Sequence, residues 1–367
     1  MAEETAKRKA DHIRIATRSN VQARKVSTGF EDICLIHKAL PEVDKDKINL
    51  STTFLDHKFK APILVSAITG GTTEAEEINA AIATAVEKLG LGMGVGSQRA
   101  ALDDKRLERT FSIVRKKAPE AFLMANIGGV QFAREYTISE ARKAIEMIDA
   151  DALAIHLNPL QEVVQPEGET SFKGVFEKIW EITQALDKPV IVKETGAGIS
   201  AEEAKKLEAV GVKGIDVSGV GGTSFAAVEF FRTKGDESAS QRRLGQLLWD
   251  WGIPTAISIV EVVQTVNIPV IASGGIRNGL EAAKALALEA SLVGLAQPVL
   301  QAAIKGVEEV EKTLEFLIEE LRNAMFLVGA ENLQQLRKVS LVITGKVAEW
   351  LKQRGFNIES YALRGRA

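Results

Sequence analysis

The chain predicts an α/β fold: a closed (β/α)8 TIM barrel with an N-terminal extension and C-terminal helices. Three observations carry this. Eight short apolar runs, often β-branched, recur along the sequence. Helical patterns mostly separate them at roughly thirty-residue spacing, the mark of right-handed crossover units. Polar residues gather where the runs end, at the face on which barrels build their sites. Eight units favour a closed barrel over an open doubly wound sheet, the alternative such a repeat leaves standing.

The expected strands are Pro62–Ala67, Leu91–Gly96, Phe122–Asn126, Ala152–Leu157, Pro189–Lys193, Gly214–Ser218, Ile268–Ser273 and Ser291–Ala296. Between them, Glu74–Leu89, Ser139–Met147, Ala201–Val210 and Leu280–Leu288 carry helical periodicity. Residues 1–60 form an extension, with a helix from about Glu3 to Asn20 and a polar extended segment after it. Residues 61–304 are the barrel, and residues 305–367 a helical segment packed on it, reading as two or three amphipathic helices from Lys305 to Phe356. The gap between the sixth and seventh strands is too long for one helix. Its polar insertion, about residues 232–252, reads equally as a mobile lid or a surface loop, and Trp249 and Trp251 favour a segment that docks.

Composition narrows the function classes. The 367 residues are 46% hydrophobic, ample for a large core. A net charge of −3 gives no bulk attraction to nucleic acid. The single cysteine, Cys34, rules out an internal disulfide and a cysteine-based zinc cage. Met1 to Arg8 is charged rather than apolar, so no secretory signal is read there. The apolar stretch Ala285–Ile304 is interrupted by Glu289, Gln297, Pro298 and Gln301, which suits helix, strand and helix rather than a membrane span. The expectation is a soluble cytoplasmic protein.

The most informative stretch is Ala154 to Glu162, where an apolar run ends in His156, Asn158, Gln161 and Glu162 around Pro159. Lys193 ends the fifth run, and a lysine in a barrel mouth is costly to desolvate unless it meets an anion or an electron-rich ring. Pairing with Glu194 is the structural alternative. Asn126 and Ser97 add neutral hydrogen-bonding groups, and Ser66–Thr72 a small-residue floor suited to a flat ring. Ser273-Gly274-Gly275-Ile276-Arg277 opens a helix after the seventh strand. There, backbone amides and the helix N-terminus favour a phosphate. Ser218–Ser224 offers a second side of such a cradle, and Ala296 with Gln297 a third. A separate anion site is indicated by Ser97, Gln98 and Arg99, with Arg8, Lys9 and His12 near the N-terminus.

Together these stretches resemble one family, the type 2 isopentenyl-diphosphate isomerases, which are FMN-dependent barrel enzymes. The resemblance rests on Arg8-Lys9-Ala10-Asp11-His12, Thr69-Gly70-Gly71-Thr72, Gly96-Ser97-Gln98-Arg99, Ala125-Asn126-Ile127-Gly128 and His156 to Glu162. Asp216-Val217-Ser218-Gly219 running into Gly222-Thr223-Ser224, and Ala272 to Arg277, complete it. It runs from about residue 7 to the C-terminal helices. The glycine motifs are shared with many flavin barrels. The His156–Glu162 segment with the Arg8-Lys9 pair is far more specific. Phe225 stands where many relatives would carry tryptophan.

The resemblance implies reversible isomerisation of isopentenyl diphosphate to dimethylallyl diphosphate, with reduced FMN, Mg²⁺ and NADPH as reductant. It implies FMN contacts at Ala67, Ile68, Thr69, Ser97, Asn126, Lys193, Ser218 and Thr223, and phosphate contacts at Gly275, Ile276, Arg277, Ala296 and Gln297. The diphosphate would meet Arg8, Lys9, Ser97, Gln98 and Arg99, with His12 and Asn158 close by. Gln161 would sit beside the alkene and Glu162 would hold Mg²⁺. Gln161, His156 and Lys193 are the catalytic candidates, although His156 reads equally as a satisfied core histidine. A homo-oligomer, tetramer or octamer, is also implied. The rival reading is an FMN barrel oxidoreductase acting on a phosphorylated or hydroxy-acid substrate. A hydroxy-acid oxidase would place a histidine base where Ser273 stands, and an inosinate-type dehydrogenase needs a barrel-loop cysteine nucleophile, whereas Cys34 precedes the first strand.

Overall fold

The computed structural model describes residues 2–233 and 239–365. Eight parallel strands close into a barrel: β1 (Ile63–Val65), β2 (Gly92–Gly94), β3 (Phe122–Gly128), β4 (Ala152–His156), β5 (Val190–Lys193), β6 (Gly214–Asp216), β7 (Val270–Ala272) and β8 (Leu292–Leu295). Each pairs with its sequence neighbour, and β8 returns to β1 through Val293 beside Ile63, so the sheet has no free edge. The open-sheet alternative is excluded. Most strands are shorter than the apolar runs that announce them, because hydrophobicity continues into the first loop residues beneath the mouth. Ser218, expected in the sixth strand, has φ of 40° and already turns away from it.

The helices follow closely: Thr73–Leu89, Ile138–Ile148, Ala201–Ala209 and Gly279–Ala287. Thr72 caps the first by accepting from the Ala75 amide, and Gly90 ends it in the left-handed region. A capping box between Thr137 and Glu140 starts the second.

Residues 19–60 depart from the expected extended segment. A hairpin of Thr52–Phe54 and His57–Phe59 turns through Leu55 and Asp56, both at positive φ, as a two-residue turn matched to strand twist requires. It carries Phe54 and Phe59 against Phe122 at the start of β3 and plugs the end of the barrel opposite the mouth. Ile33–Leu35 pairs antiparallel with Leu341–Ile343, knitting the extension to the C-terminal region. That region holds Val307–Leu327, the short Leu333–Leu336, Gly345–Gln353 and Glu359–Leu363, with the strand between them. The long helix packs so closely on Gly279–Ala287 that a Cβ at Gly279 would stand 2.2 Å from the Leu321 nitrogen. Among the described residues no helix is long and apolar enough to cross a membrane.

Candidate active site

The C-terminal ends of the strands open into a cavity of about 270 Å³. The N-terminal helix Ala2–Arg18 roofs it. Lys9 Nζ donates to the Ser97 carbonyl at 2.6 Å, and Gln297 Nε2 donates to the Ala16 carbonyl at 2.9 Å. His12 Nε2 lies 2.8 Å from Glu229 Oε1, a fully buried carboxylate that also takes the Arg232 guanidinium at 2.6 Å. The extension therefore reaches the mouth through specific polar contacts. Every site residue expected from the sequence lines this cavity except Gln98.

Gln98 is a correction. Its side chain is fully buried, donating to the Ala144 carbonyl at 2.8 Å and accepting from the Asn126 amide at 2.9 Å. It braces the loop after β2 against β3 and faces away from the anion site. Its neighbours Ser97 and Arg99 do line the cavity.

His156 ends β4 with Nδ1 2.9 Å from Asn126 Oδ1. Burial, then the nearby charges of Lys193 and Lys9, push its pKa down to about 3. It is a neutral ring with one nitrogen satisfied, joining the satisfied-core and the cavity-facing readings. Asn158 Nδ2 donates to Glu162 Oε1 at 2.9 Å and to Gln161 Oε1 at 3.2 Å, so the Gln161 amide nitrogen remains to donate elsewhere. Lys193 is buried, with Nζ donating to the Glu194 carbonyl at 2.5 Å. The expected Lys193–Glu194 pairing is thus to the main chain. The Glu194 carboxylate instead accepts from the amides of Thr195 and Gly196, each at 2.5 Å, and of Ala197.

Arg8, Lys9 and Arg99 all line the cavity. Burial, with a smaller push from Arg8, draws Lys9 down to about 7. Arg8 lies 3.7 Å from Glu167, while Arg99 meets Glu169 at 3.2 Å. Glu167 and Glu169 were not anticipated. They lie in the turn after Pro159–Val164, where Gly168 is required because a Cβ would stand 1.8 Å from the Glu162 carbonyl. Glu229 was missed as well. Only its i,i+3 spacing from Arg232 in an otherwise apolar helix could have marked it.

The residues fit the flavin mononucleotide that the resemblance implies. Gly274 and Gly275 have φ of 103° and 78°, and a Cβ at Gly222 would stand 2.5 Å from the Gly275 nitrogen, so the cradle admits no side chain. Arg277 is a largely buried guanidinium whose acceptors are Gln297 Oε1 at 2.9 Å and the Ile276 carbonyl at 3.3 Å, and burial lowers its pKa. Its hydrogen-bond acceptors are neutral and the Glu281 carboxylate acts on it only by charge, which leaves the guanidinium free to take an anion. Ser66 Oγ, buried in the floor, has no partner. For a metal the fit is narrower. No cluster of three or more His, Cys, Asp or Glu is assembled among the described residues. Glu162 is a lone, nearly buried carboxylate, and the adjacent Asn158 Oδ1 is unpartnered. That set suits Mg²⁺ shared with phosphate oxygens and does not suit an all-protein cage.

The insertion after β6 docks in part. Trp249 is buried on Phe230 and Phe231, stacks under the Arg24 guanidinium at 3.4 Å and donates from Nε1 to the Gln22 carbonyl at 2.8 Å. Trp251 is exposed. Residues 234–238 of the insertion lie outside the described residues. Phe225, in the position expected for tryptophan, lines the cavity edge-on to His12.

The sequence matches the family described as FMN-dependent dehydrogenase over residues 1–122 and 130–343. It is 51% identical over 365 residues to an isopentenyl-diphosphate delta-isomerase of Methanosarcina barkeri, covering 100% of this chain and 99% of that protein. It is 52% identical to isomerases of the same name from Methanothermobacter thermautotrophicus, covering 97% and 99%, and from Pyrococcus abyssi, covering 100% and 99%. In fold it is similar to mandelate oxidase with benzaldehyde, at a TM-score of 0.63 and 19% identity over 93% of this chain and 97% of that one.

Proposed function

The chain belongs to the FMN-dependent dehydrogenase family and, within it, to the isopentenyl-diphosphate delta-isomerases, and from that membership we propose how its own residues serve the reaction. The reaction is the reversible conversion of isopentenyl diphosphate to dimethylallyl diphosphate by addition of a proton at one carbon and removal of one from another. Reduced FMN supplies an electron-rich ring able to stabilise positive charge and to exchange a proton. The observation that carries the reading is one cavity lined by a glycine-rich turn with an arginine and by a second group of cationic residues. Gly274, Gly275 and Arg277 line it, as do Arg8, Lys9, Arg99 and Gln161. A cofactor phosphate and a substrate diphosphate need separate seats.

In this reading Lys9, Arg8 and Arg99 hold the diphosphate, with Ser97, His12 and Asn158 around it, and Glu162 shares Mg²⁺ with its oxygens. Ala67, Ile68, Thr69, Asn126, Ser218 and Thr223 bed the flavin ring, and Lys193 favours its anionic reduced form by charge attraction. Gly275, Ile276, Arg277, Ala296 and Gln297 take its phosphate. Gln161, a neutral amide, orients the alkene and does not titrate. His156, with its low pKa, is a positioning group and no proton donor at neutral pH. The buried walls exclude water that would trap a tertiary cation. NADPH as reductant, a cytoplasmic homo-oligomer and the absence of nucleic-acid or membrane partners belong to the same proposal.

The test is anaerobic. The protein is incubated with FMN, dithionite, Mg²⁺ and isopentenyl diphosphate, and dimethylallyl diphosphate is followed by NMR. Product only with reduced flavin supports the proposal. Bound flavin without product returns the chain to the oxidoreductase reading, against which Ser273 at the expected base position already argues.

A further inference from the structure

Asp216 ends β6, at the mouth end of its strand, and is fully buried. Its Oδ1 accepts from Ser273 Oγ, while its Oδ2 has no hydrogen-bond partner. A buried carboxylate oxygen left unmatched is costly, so an unmatched one at a strand end calls for a reason. Strand register supplies it. Asp216 lies directly beside Lys193 of β5, one strand spacing of about 4.8 Å away, with both residues ending their strands at the mouth.

Lys193 needs a counter-charge, since an isolated buried ammonium is expensive. Glu194 is the obvious candidate, but its carboxylate is turned onto three backbone amides, and Lys193 meets only its carbonyl. Asp216 is the carboxylate that remains. Burial raises its pKa, against the opposing pull of Lys193, the Ser273 hydroxyl and the Ser218 amide. We propose that Asp216 is a positioning residue for the flavin site, acting across the β5–β6 pair as the counter-charge that fixes where the Lys193 ammonium sits. The inference rests on the proposal that FMN lies against Lys193. Asp216 touches neither flavin nor substrate in this scheme and acts through the lysine.

The sign of the effect separates this role from a merely nearby charge. Removing a negative charge that only sat close to the flavin would favour electron uptake. Removing the charge that holds the Lys193 ammonium in place would let it leave the ring and would disfavour the anionic reduced form. The experiment uses the full chain with Asp216→Asn, titrated with oxidised and with dithionite-reduced FMN, and with the midpoint potential read at neutral pH. The expected result is near-normal affinity for oxidised FMN and a reduced-to-oxidised affinity ratio lower by about tenfold, ~30 mV for a two-electron couple. An unchanged or raised potential overturns the proposal. Ser273→Ala removes the donor to Oδ1 and should shift the potential the same way by less. It decides the matter if Asp216→Asn does not fold, because no shift or a rise there overturns the proposal equally. A wild-type chain that binds no FMN would sink the underlying reading and this inference with it. Flavin-loaded Asp216→Asn with an unshifted potential would sink this inference alone.

Discussion

His156 Nδ1 lies 2.9 Å from Asn126 Oδ1, and Asn126 Nδ2 is committed to the Val95 carbonyl at 3.0 Å. The amide orientation is therefore set by its own donor, and the imidazole must carry its proton on Nδ1. With burial holding the ring near a pKa of about 3, nitrogen NMR should find the neutral Nδ1–H form from pH 5 to 8. An imidazolium at pH 6 would contradict it. The unfolded chain binds this proton below the ordinary imidazole value of 6.5 and the folded chain does not, so the group lowers stability as pH falls from 6.5 towards 3.

Lys9, drawn down to about 7 by burial, should regain its proton when an anion arrives. Pyrophosphate binding at pH 8 should then take up protons, visible as a buffer-dependent calorimetric enthalpy, and affinity should fall as pH rises above about 7. Lys9→Met should abolish the Lys9 share of that uptake and weaken binding by about tenfold or more, the loss of one charge-assisted contact.

Gln161→Ala should lower turnover by at least about a hundredfold, on the scale of a lost orienting group. Flavin content should stay near normal, since the amide's hydrogen bond runs to Asn158. Wild-type turnover would remove Gln161 from the reaction.

Glu162→Gln keeps the shape and removes the charge, and its one amide oxygen can accept only one of the two contacts that Glu162 takes from Asn158 Nδ2 at 2.9 Å and the Glu169 amide at 2.6 Å. Metal dependence of pyrophosphate binding should largely vanish while FMN binding stays intact. Flavin loss instead would show that Glu162 serves the cofactor.

Trp249→Ala removes the ring on which Phe230, Phe231 and Arg24 pack. Chemical denaturation should show a loss of about 3–5 kcal/mol, the usual cost of deleting a buried tryptophan. A loss below about 1 kcal/mol would mean that the insertion is not anchored there.

The barrel was legible because each buried parallel strand must be apolar on both faces, and eight such runs leave little else to build. The cavity wall was legible for a related reason. Polar residues ending those runs, from Ser66 to Gln297, had no role in packing and a shared destination. The hairpin plug was hidden, since Leu55 is an unusual residue for positive φ and the turn carries no glycine signal. Gln98 misled because motif adjacency to Ser97 and Arg99 says nothing about side-chain direction, and one residue of rotation buried it under β3.

By itself, the sequence determined the repeat, the location of the mouth and the chemical types gathered there, because hydrophobic period and strand ends are local properties. Tertiary structure alone decided which charges meet. Glu229 on His12, Glu169 on Arg99 and Asp216 beside Lys193 join residues that are 217, 70 and 23 positions apart. Such pairings depend on barrel closure and strand register, and no local pattern encodes either.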